Sequence, residues 1–305
     1  MSLSLRQIRY FIASAEAGKL SLAASQLGVS QSAVTEAIKA LEQETGVSLL
    51  HRHGKGIELT VEGNQFLRHA RAVVAAVSDA TQAPRQARSG IAGSFSLAVT
   101  FTVAGYFLPA PLARFRRIFP NIAVQLFEMD RADIERKLIG GKIDLAVILT
   151  SNLSNADEIE GEELIRSRRR LWAPPNHPLL QARRLTLTRI APEPYIMLTV
   201  DEAEDTALRY WKRTRHRPNV VFRTSSVEAV RSLVATGAGV SILSDMVYRP
   251  WSLEGDRIEA RTLQDSVPSM DVGLAWKRDA RVNPCAQVFR DFCHNTYNAS
   301  GGQIG

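Results

Sequence analysis

A helical N-terminal head with a winged helix-turn-helix, a long connecting helix, and a C-terminal α/β domain of two lobes is the architecture predicted by these 305 residues. Three observations predict it. The first sixty residues hold three amphipathic segments, with a glycine turn between the second and third, and then two short extended segments around a basic turn. An apolar series spaced by threes and fours runs from Val61 to about Ala83. Beyond Ser94 strands alternate with helices, in two successive sets.

The bulk properties set limits. The chain is long enough for two or three domains that each bury a core. Its composition, 45% apolar and 23% charged with no low-complexity tract, is that of a globular protein. No apolar run approaches the roughly 20 residues of a membrane span. Met1 to Arg6 lacks the basic-then-apolar form of a secretion signal, so the expectation is a cytoplasmic chain with no membrane partner. Cys285 and Cys293 stand eight apart in a predicted helix, about 12 Å at 1.5 Å per residue, too far for a disulfide. The formal charge of +7 suits a polyanion partner.

Ser4 and Gln7 have capping-box form, and Leu5, Ile8, Ile12 and Ala15 predict a first helix ending near Gly18. Ser21 is expected to open a second helix, Leu22 to Gln26, whose Ala23-Ala24 pair permits close packing. Gly28 breaks it, and Ser30 caps a third helix with Ala33, Val34, Ile38 and Leu41 turned inward. The outward face then offers Gln31, Ser32, Thr35, Glu36 and Lys39. Such side chains suit base edges and phosphates, although any three-helix core also has a polar outer face.

The next segments weigh toward DNA. Val47 to Leu50 and Ile57 to Thr60 read as strands flanking a turn, His51 to Gly56, a wing whose Arg52 and Lys55 can grip a phosphate backbone. His51-x-His53 has no third Cys or His nearby, so a solvated or phosphate-facing role outweighs metal binding. Thr60 caps the long helix, which Pro84 should stop. Its seam Phe66, Ala70, Val73, Val77 and Ala80 is heptad-like, and no neighbouring segment is long enough to cover it, which predicts dimerisation. Pro84 to Gly93 is the expected hinge.

These residues resemble the LysR-type transcriptional regulators. The resemblance runs through Leu20-Ser21-Leu22-Ala23-Ala24, Leu27 to Val34, Ile38 to Glu42, Gly46-Val47, Arg52 and Leu59-Thr60-x-x-Gly63. Leu50 stands where the family usually has Phe. Glu36 replaces a common basic or amide side chain; it can accept from cytosine N4 but repels phosphate. The resemblance implies a regulator of double-stranded operator DNA, a homodimer or homotetramer, with RNA polymerase as a further partner.

In the second half the predicted strands are Phe95–Thr100, Ile122–Glu128, Leu145–Leu149, Leu164–Trp172, Tyr195–Leu198, Val220–Arg223, Val240–Leu243 and Met270–Trp276. Helices are expected at Gly105–Ile118, Ala132–Gly140, Thr206–Arg215, Ser226–Thr236 and Pro284–Tyr297. Leu108-Pro109, Phe115 to Pro120, Gly141 to Ala146, Asn176 to Leu179 and Val234 to Gly239 resemble the family's periplasmic-binding-protein-like effector domain. The domains are therefore expected at residues 1–60, 61–93 and 94–305. Within the last, the first lobe takes 94–163 and 268–305, and the second takes 164–267.

Ligands of open α/β lobes bind beyond the carboxyl ends of strands. Here those places offer Thr100, Phe101, Thr102, Arg131, Leu149, Thr199, Asp201 and Ser226, each of which could equally be a cap or a solvated residue. The expected effector is a small acid or an amino-acid-like metabolite. The acidic run Asp201, Glu202, Glu204 and Asp205 suits a solvated helix start; turned into the cleft it would favour an amine. No Walker loop, HExxH or nucleophile elbow occurs, and Gly237-Ala238-Gly239 precedes a strand, so no enzyme, cofactor or metal is expected. The alternatives are a ligand-independent DNA-binding regulator with a structural oligomerisation domain and, more remotely, a solute receptor or enzyme.

Overall fold

The computed structural model describes residues 3–53, 56–86, 90–297 and 303–304. The head packs α1 (Leu5–Ala17), α2 (Leu20–Leu27) and α3 (Gln31–Thr45) around Phe11, Val34, Ile38 and Leu41. Ser4 and Gln7 form the capping box, and Ser30 accepts from the Ala33 amide, as their sequence positions predict. The second helix starts earlier than Ser21, after Lys19, because Leu20 is drawn into the core.

The wing pairs β1 (Leu50–His53) with β2 (Gly56–Leu59), so His51 to His53 belong to a strand and not to the turn. Leu49 and Leu50 donate their amides to one carboxylate oxygen of Glu42 at 2.8 and 3.1 Å, tying the third helix to the wing. Thr60 accepts from the Gly63 amide and caps α4 (Val61–Gln86). A Cβ on Gly63 would lie 2.0 Å from the Leu49 carbonyl oxygen, which explains glycine at that place in the motif. The fourth helix continues through Pro84 to Gln86, so the proline does not stop it. Its seam is also divided. Phe66 and Ala70 pack on the head, Phe66 edge-on to Phe11 at 5.2 Å, and only Val73, Val77 and Ala80 face outward.

The C-terminal domain has two sheet systems. The first orders its strands β13-β6-β12-β5-β3-β4, from β3 (Gly93–Val99), β4 (Ile122–Glu128), β5 (Leu145–Leu149), β6 (Ile159–Ser167), β12 (Met270–Lys277) and β13 (Gln303–Ile304). The pairs β3–β4 and β3–β5 are parallel, while β12 runs antiparallel between β5 and β6. The helices of this lobe are α5 (Phe101–Tyr106), α6 (Pro109–Ile118), α7 (Arg131–Ile139) and α12 (Pro284–Tyr297). The second system sets β7 (Arg169–Ala173) between β10 (Ser241–Ser244) and β11 (Glu259–Arg261), with β8 (Pro194–Leu198) paired to β9 (Asn219–Thr224). It is covered by α8 (Pro178–Gln181), α9 (Leu187–Ile190), α10 (Ala203–Trp211) and α11 (Val227–Ala235).

Two expected elements are each a pair. The helix predicted over Gly105–Ile118 breaks into α5 and α6, because Pro109 has no N–H to continue a helix and suits a helix start. The strand predicted over Leu164–Trp172 splits at Arg168, where the chain leaves the first sheet for the second. Ser167 and Ser244 join hydroxyls at 2.6 Å there, and the Asp245 amide donates to the Arg168 carbonyl at 2.9 Å. Cys285 and Cys293 are buried free thiols on α12; burial pushes the Cys293 thiol well above its usual range.

Candidate nucleic-acid interface and effector cleft

On the head, Gln31, Ser32, Glu36 and Lys39 are exposed along one face of α3 and Thr35 is half-buried beside them. Ser32 bonds the capping Ser30 hydroxyl at 2.9 Å. Opposite that face, Val34, Ile38 and Leu41 anchor the helix, so the polar side chains project from a rigid support. Arg52 lies on β1, but its side chain and the whole of Lys55 fall outside the described residues.

The lobes meet where strands of both end. Thr100 follows β3 and caps α5, and Asp201 and Glu202 follow β8. Both acidic residues hold left-handed backbone, φ 51° and 56°, a cost of order 1–3 kcal/mol each for non-glycine residues. That conformation turns the acidic pair onto the first lobe. Asp201 Oδ2 accepts from the Thr102 amide at 2.6 Å, and Asn152 Nδ2 donates to the Asp201 carbonyl at 3.1 Å and to Glu202 Oε2 at 3.3 Å. Arg131 donates from Nε to Glu202 at 3.1 Å and from a terminal nitrogen to the buried Glu135 at 2.6 Å. Burial opposes the guanidinium charge, but the two carboxylates outweigh it and raise the Arg131 pKa. Tyr106 of α5 closes a further link, its hydroxyl donating to Glu228 of α11 at 2.7 Å; burial and that carboxylate raise the phenol pKa.

The structure thus brings Thr100, Phe101, Thr102, Arg131, Thr199 and Asp201 to one inter-lobe region. Phe101 is exposed, and Thr199 is held by its amide on the Thr224 carbonyl at 2.9 Å. Thr100 is 2% exposed and its hydroxyl has no hydrogen-bond partner among the described residues. Leu149 packs in the core, and the Ser226 hydroxyl caps α11 by accepting from Ala229. Asn152, Glu135, Tyr106 and Glu228 join the network without having been singled out from sequence, while Glu202 belongs to the acidic run considered there. Asn152 had one usable signal, its position just beyond β5. Among the described residues no group of three His, Cys, Asp or Glu side chains could hold a metal, and no helix is long and apolar enough to cross a membrane.

A winged helix-turn-helix joined by a long helix to a two-lobed α/β domain defines a class: DNA-binding regulators that carry their own sensing domain. Residues 5–64 match the bacterial regulatory helix-turn-helix of the lysR family, and residues 88–298 match the LysR substrate binding domain. The chain belongs to the LysR family of transcriptional regulators. It is 30% identical to the uncharacterized regulator YnfL of Escherichia coli K12, over 95% of this chain and 97% of that one. It is 29% identical to the RuBisCO operon transcriptional regulator of Allochromatium vinosum, over 96% of each. The crystal structure of HinK from Pseudomonas aeruginosa superposes with TM-score 0.61 at 26% identity, covering 96% of this chain and 98% of that one. The function is accordingly DNA-binding transcription regulation with a C-terminal effector-binding domain; the family is one of regulators, not enzymes.

Proposed function

We propose that the effector is an amino-acid-like metabolite seated between the lobes, with its ammonium group on the carboxylate of Asp201. One observation carries the reading: the strained acidic pair is turned onto the first lobe, Asp201 accepting from the Thr102 amide and Glu202 from Arg131. Arg131 already serves two carboxylates, so Arg131, Glu135, Asp201 and Glu202 together leave the cleft net negative. A simple dicarboxylate would have to displace both acidic side chains, whereas an amine complements them.

On the DNA side, Gln31, Ser32, Thr35 and Glu36 read operator base edges while Lys39, Arg52 and Lys55 hold phosphates. The head takes residues 1–60 and the linker 61–93. The lobes are 94–167 with 268–305, and 168–267, because residues 164–167 continue β6 of the first sheet. Outward Val73 and Val77 on α4 form a dimer seam, and exposed Leu126, Phe127, Val221 and Phe222 on the edge strands β4 and β9 complete a tetramer. The regulator acts in the cytoplasm with RNA polymerase as its partner on the promoter.

The test is thermal unfolding and calorimetric titration of the full chain with free amino acids, their decarboxylated amines and dicarboxylates, since a ligand of the native state must raise its stability. Stabilisation by an amine-bearing compound, lost in Asp201→Gly, is the expected result. Glycine adopts the same positive φ without strain, so this variant keeps the backbone conformation while removing the carboxylate and its bond to the Thr102 amide. Dicarboxylate binding that survives the substitution would refute the amine reading.

A further inference from the structure

We propose that the second lobe carries a second DNA-contacting surface, a basic face at the far end of α10 that engages phosphates outside the footprint of the head. The proposal rests on the reading that the head binds operator DNA, and it begins with where the charge lies. Residues 1–60 contain six Lys and Arg against five Asp and Glu, a net charge of only +1. Residues 168–267 contain sixteen against eleven, so +5 of the chain's +7 resides in the second lobe. Non-specific DNA affinity comes almost wholly from cation–phosphate contacts. A nearly neutral head supplies few of them.

The excess is concentrated. Lys212, Arg213, Arg215 and Arg217 occupy the loop after α10, all exposed. The Thr214 hydroxyl fixes that loop in a turn, donating to the Trp211 and His216 carbonyls at 2.9 and 3.0 Å. Arg189, also exposed, lies beside it: the Asn219 amide donates to the Ala191 carbonyl at 3.2 Å, joining the loop's exit to the end of α9. None of these five side chains has a hydrogen-bond or ion-pair partner among the described residues. Of the neighbouring acids, Asp265 accepts from the Leu187 amide at 2.7 Å and Glu193 lies 3.8 Å from His177. Several other arginines of this lobe are used internally, Arg170 on Asp245, Arg231 on Glu228 and Arg223 on Glu204. The contrast marks the face as an unneutralised surface on a protein whose established partner is a polyanion.

The experiment measures binding by the full chain against salt concentration on two duplexes carrying a site selected from a random pool. One ends at the site and the other extends several helical turns on each side. For the wild type the longer duplex should give the steeper log–log slope. Arg213→Ala/Arg215→Ala/Arg217→Ala should flatten it there by up to about 0.9 for each phosphate no longer neutralised, and leave the short duplex unaffected. Lys39→Ala should flatten both, so failure of the head reading would show on the short duplex independently. Equal slopes for wild type and triple variant on the long duplex would overturn the proposal. So would unchanged DNA binding with loss of transcription in vitro, which would give the face to an acidic protein.

Discussion

Gly63 shows how one missing side chain sets a junction. Its Cα passes the Leu49 carbonyl so closely that Gly63→Ala forces backbone to move, an overpacking cost of roughly 1–3 kcal/mol. Denaturant unfolding of the head should show that loss, together with weakened operator binding. Glu42 is the complementary case. Glu42→Ala leaves the Leu49 and Leu50 amides without their acceptor, at about 1–3 kcal/mol if water does not replace it. The wing should then lose amide-exchange protection while α1 keeps its own. At the cleft the same scale separates charge from strain: Glu202→Gly relieves the positive φ but deletes the Arg131 and Asn152 bonds. If strain dominates, thermal stability rises with ligand affinity reduced; if the bonds dominate, both fall. We expect the latter, because Arg131 would remain half-buried with only Glu135 as partner.

Among the elements, α4 has two roles divided along its length. Phe66 belongs to the head, so Phe66→Ala should cost stability, a fraction of the ~3–5 kcal/mol of a fully buried phenylalanine. Val73 is 43% exposed, so Val73→Glu should leave the isolated chain's stability intact and weaken association, read by light scattering across concentration. An unchanged oligomer would remove the seam assignment. This division was only half legible from sequence, since a heptad-like series does not say which turns face the chain's own domain. The capped helices of the head were plain, because Ser4, Ser30 and Thr60 each carry a local signal. Pro109 equally announced the break between α5 and α6, but the apolar spacing on either side masked it. The split of β6 from β7 had no signal at all: Ser167 and Arg168 suit a strand, and only pairing in two sheets divides it. Strand ends pointed to the region where the lobes meet, but whether Asp201 turned inward depended on backbone dihedrals that Asp and Glu rarely adopt.

For the whole molecule, the inter-lobe bonds of Asp201, Glu202, Asn152 and Tyr106 make lobe separation a cooperative event, and a ligand can shift it only by binding the two arrangements differently. Asp201→Gly combined with Tyr106→Phe should raise hydrogen exchange at the Thr102 amide and expand the domain in small-angle scattering. Unaltered exchange at Thr102 would mean that other interactions hold the lobes.

The placement of β12 carries a further consequence, for the order in which the chain can be built. That strand lies between β5 and β6, yet it is synthesised after the entire second lobe. Until Lys277 has left the ribosome, β5 and β6 each present an open edge with the apolar residues Val147, Ile148, Leu164 and Ile165 beside it. Domains generally fold in order of emergence, and unpaired edges are where aggregation starts. The head and second lobe can therefore mature early, while the first lobe waits for its central strand. A chain stopped at Pro268 should be captured by chaperones or precipitate, and one reaching Tyr297 should remain soluble, so the stretch that begins with β12 decides whether the first lobe exists.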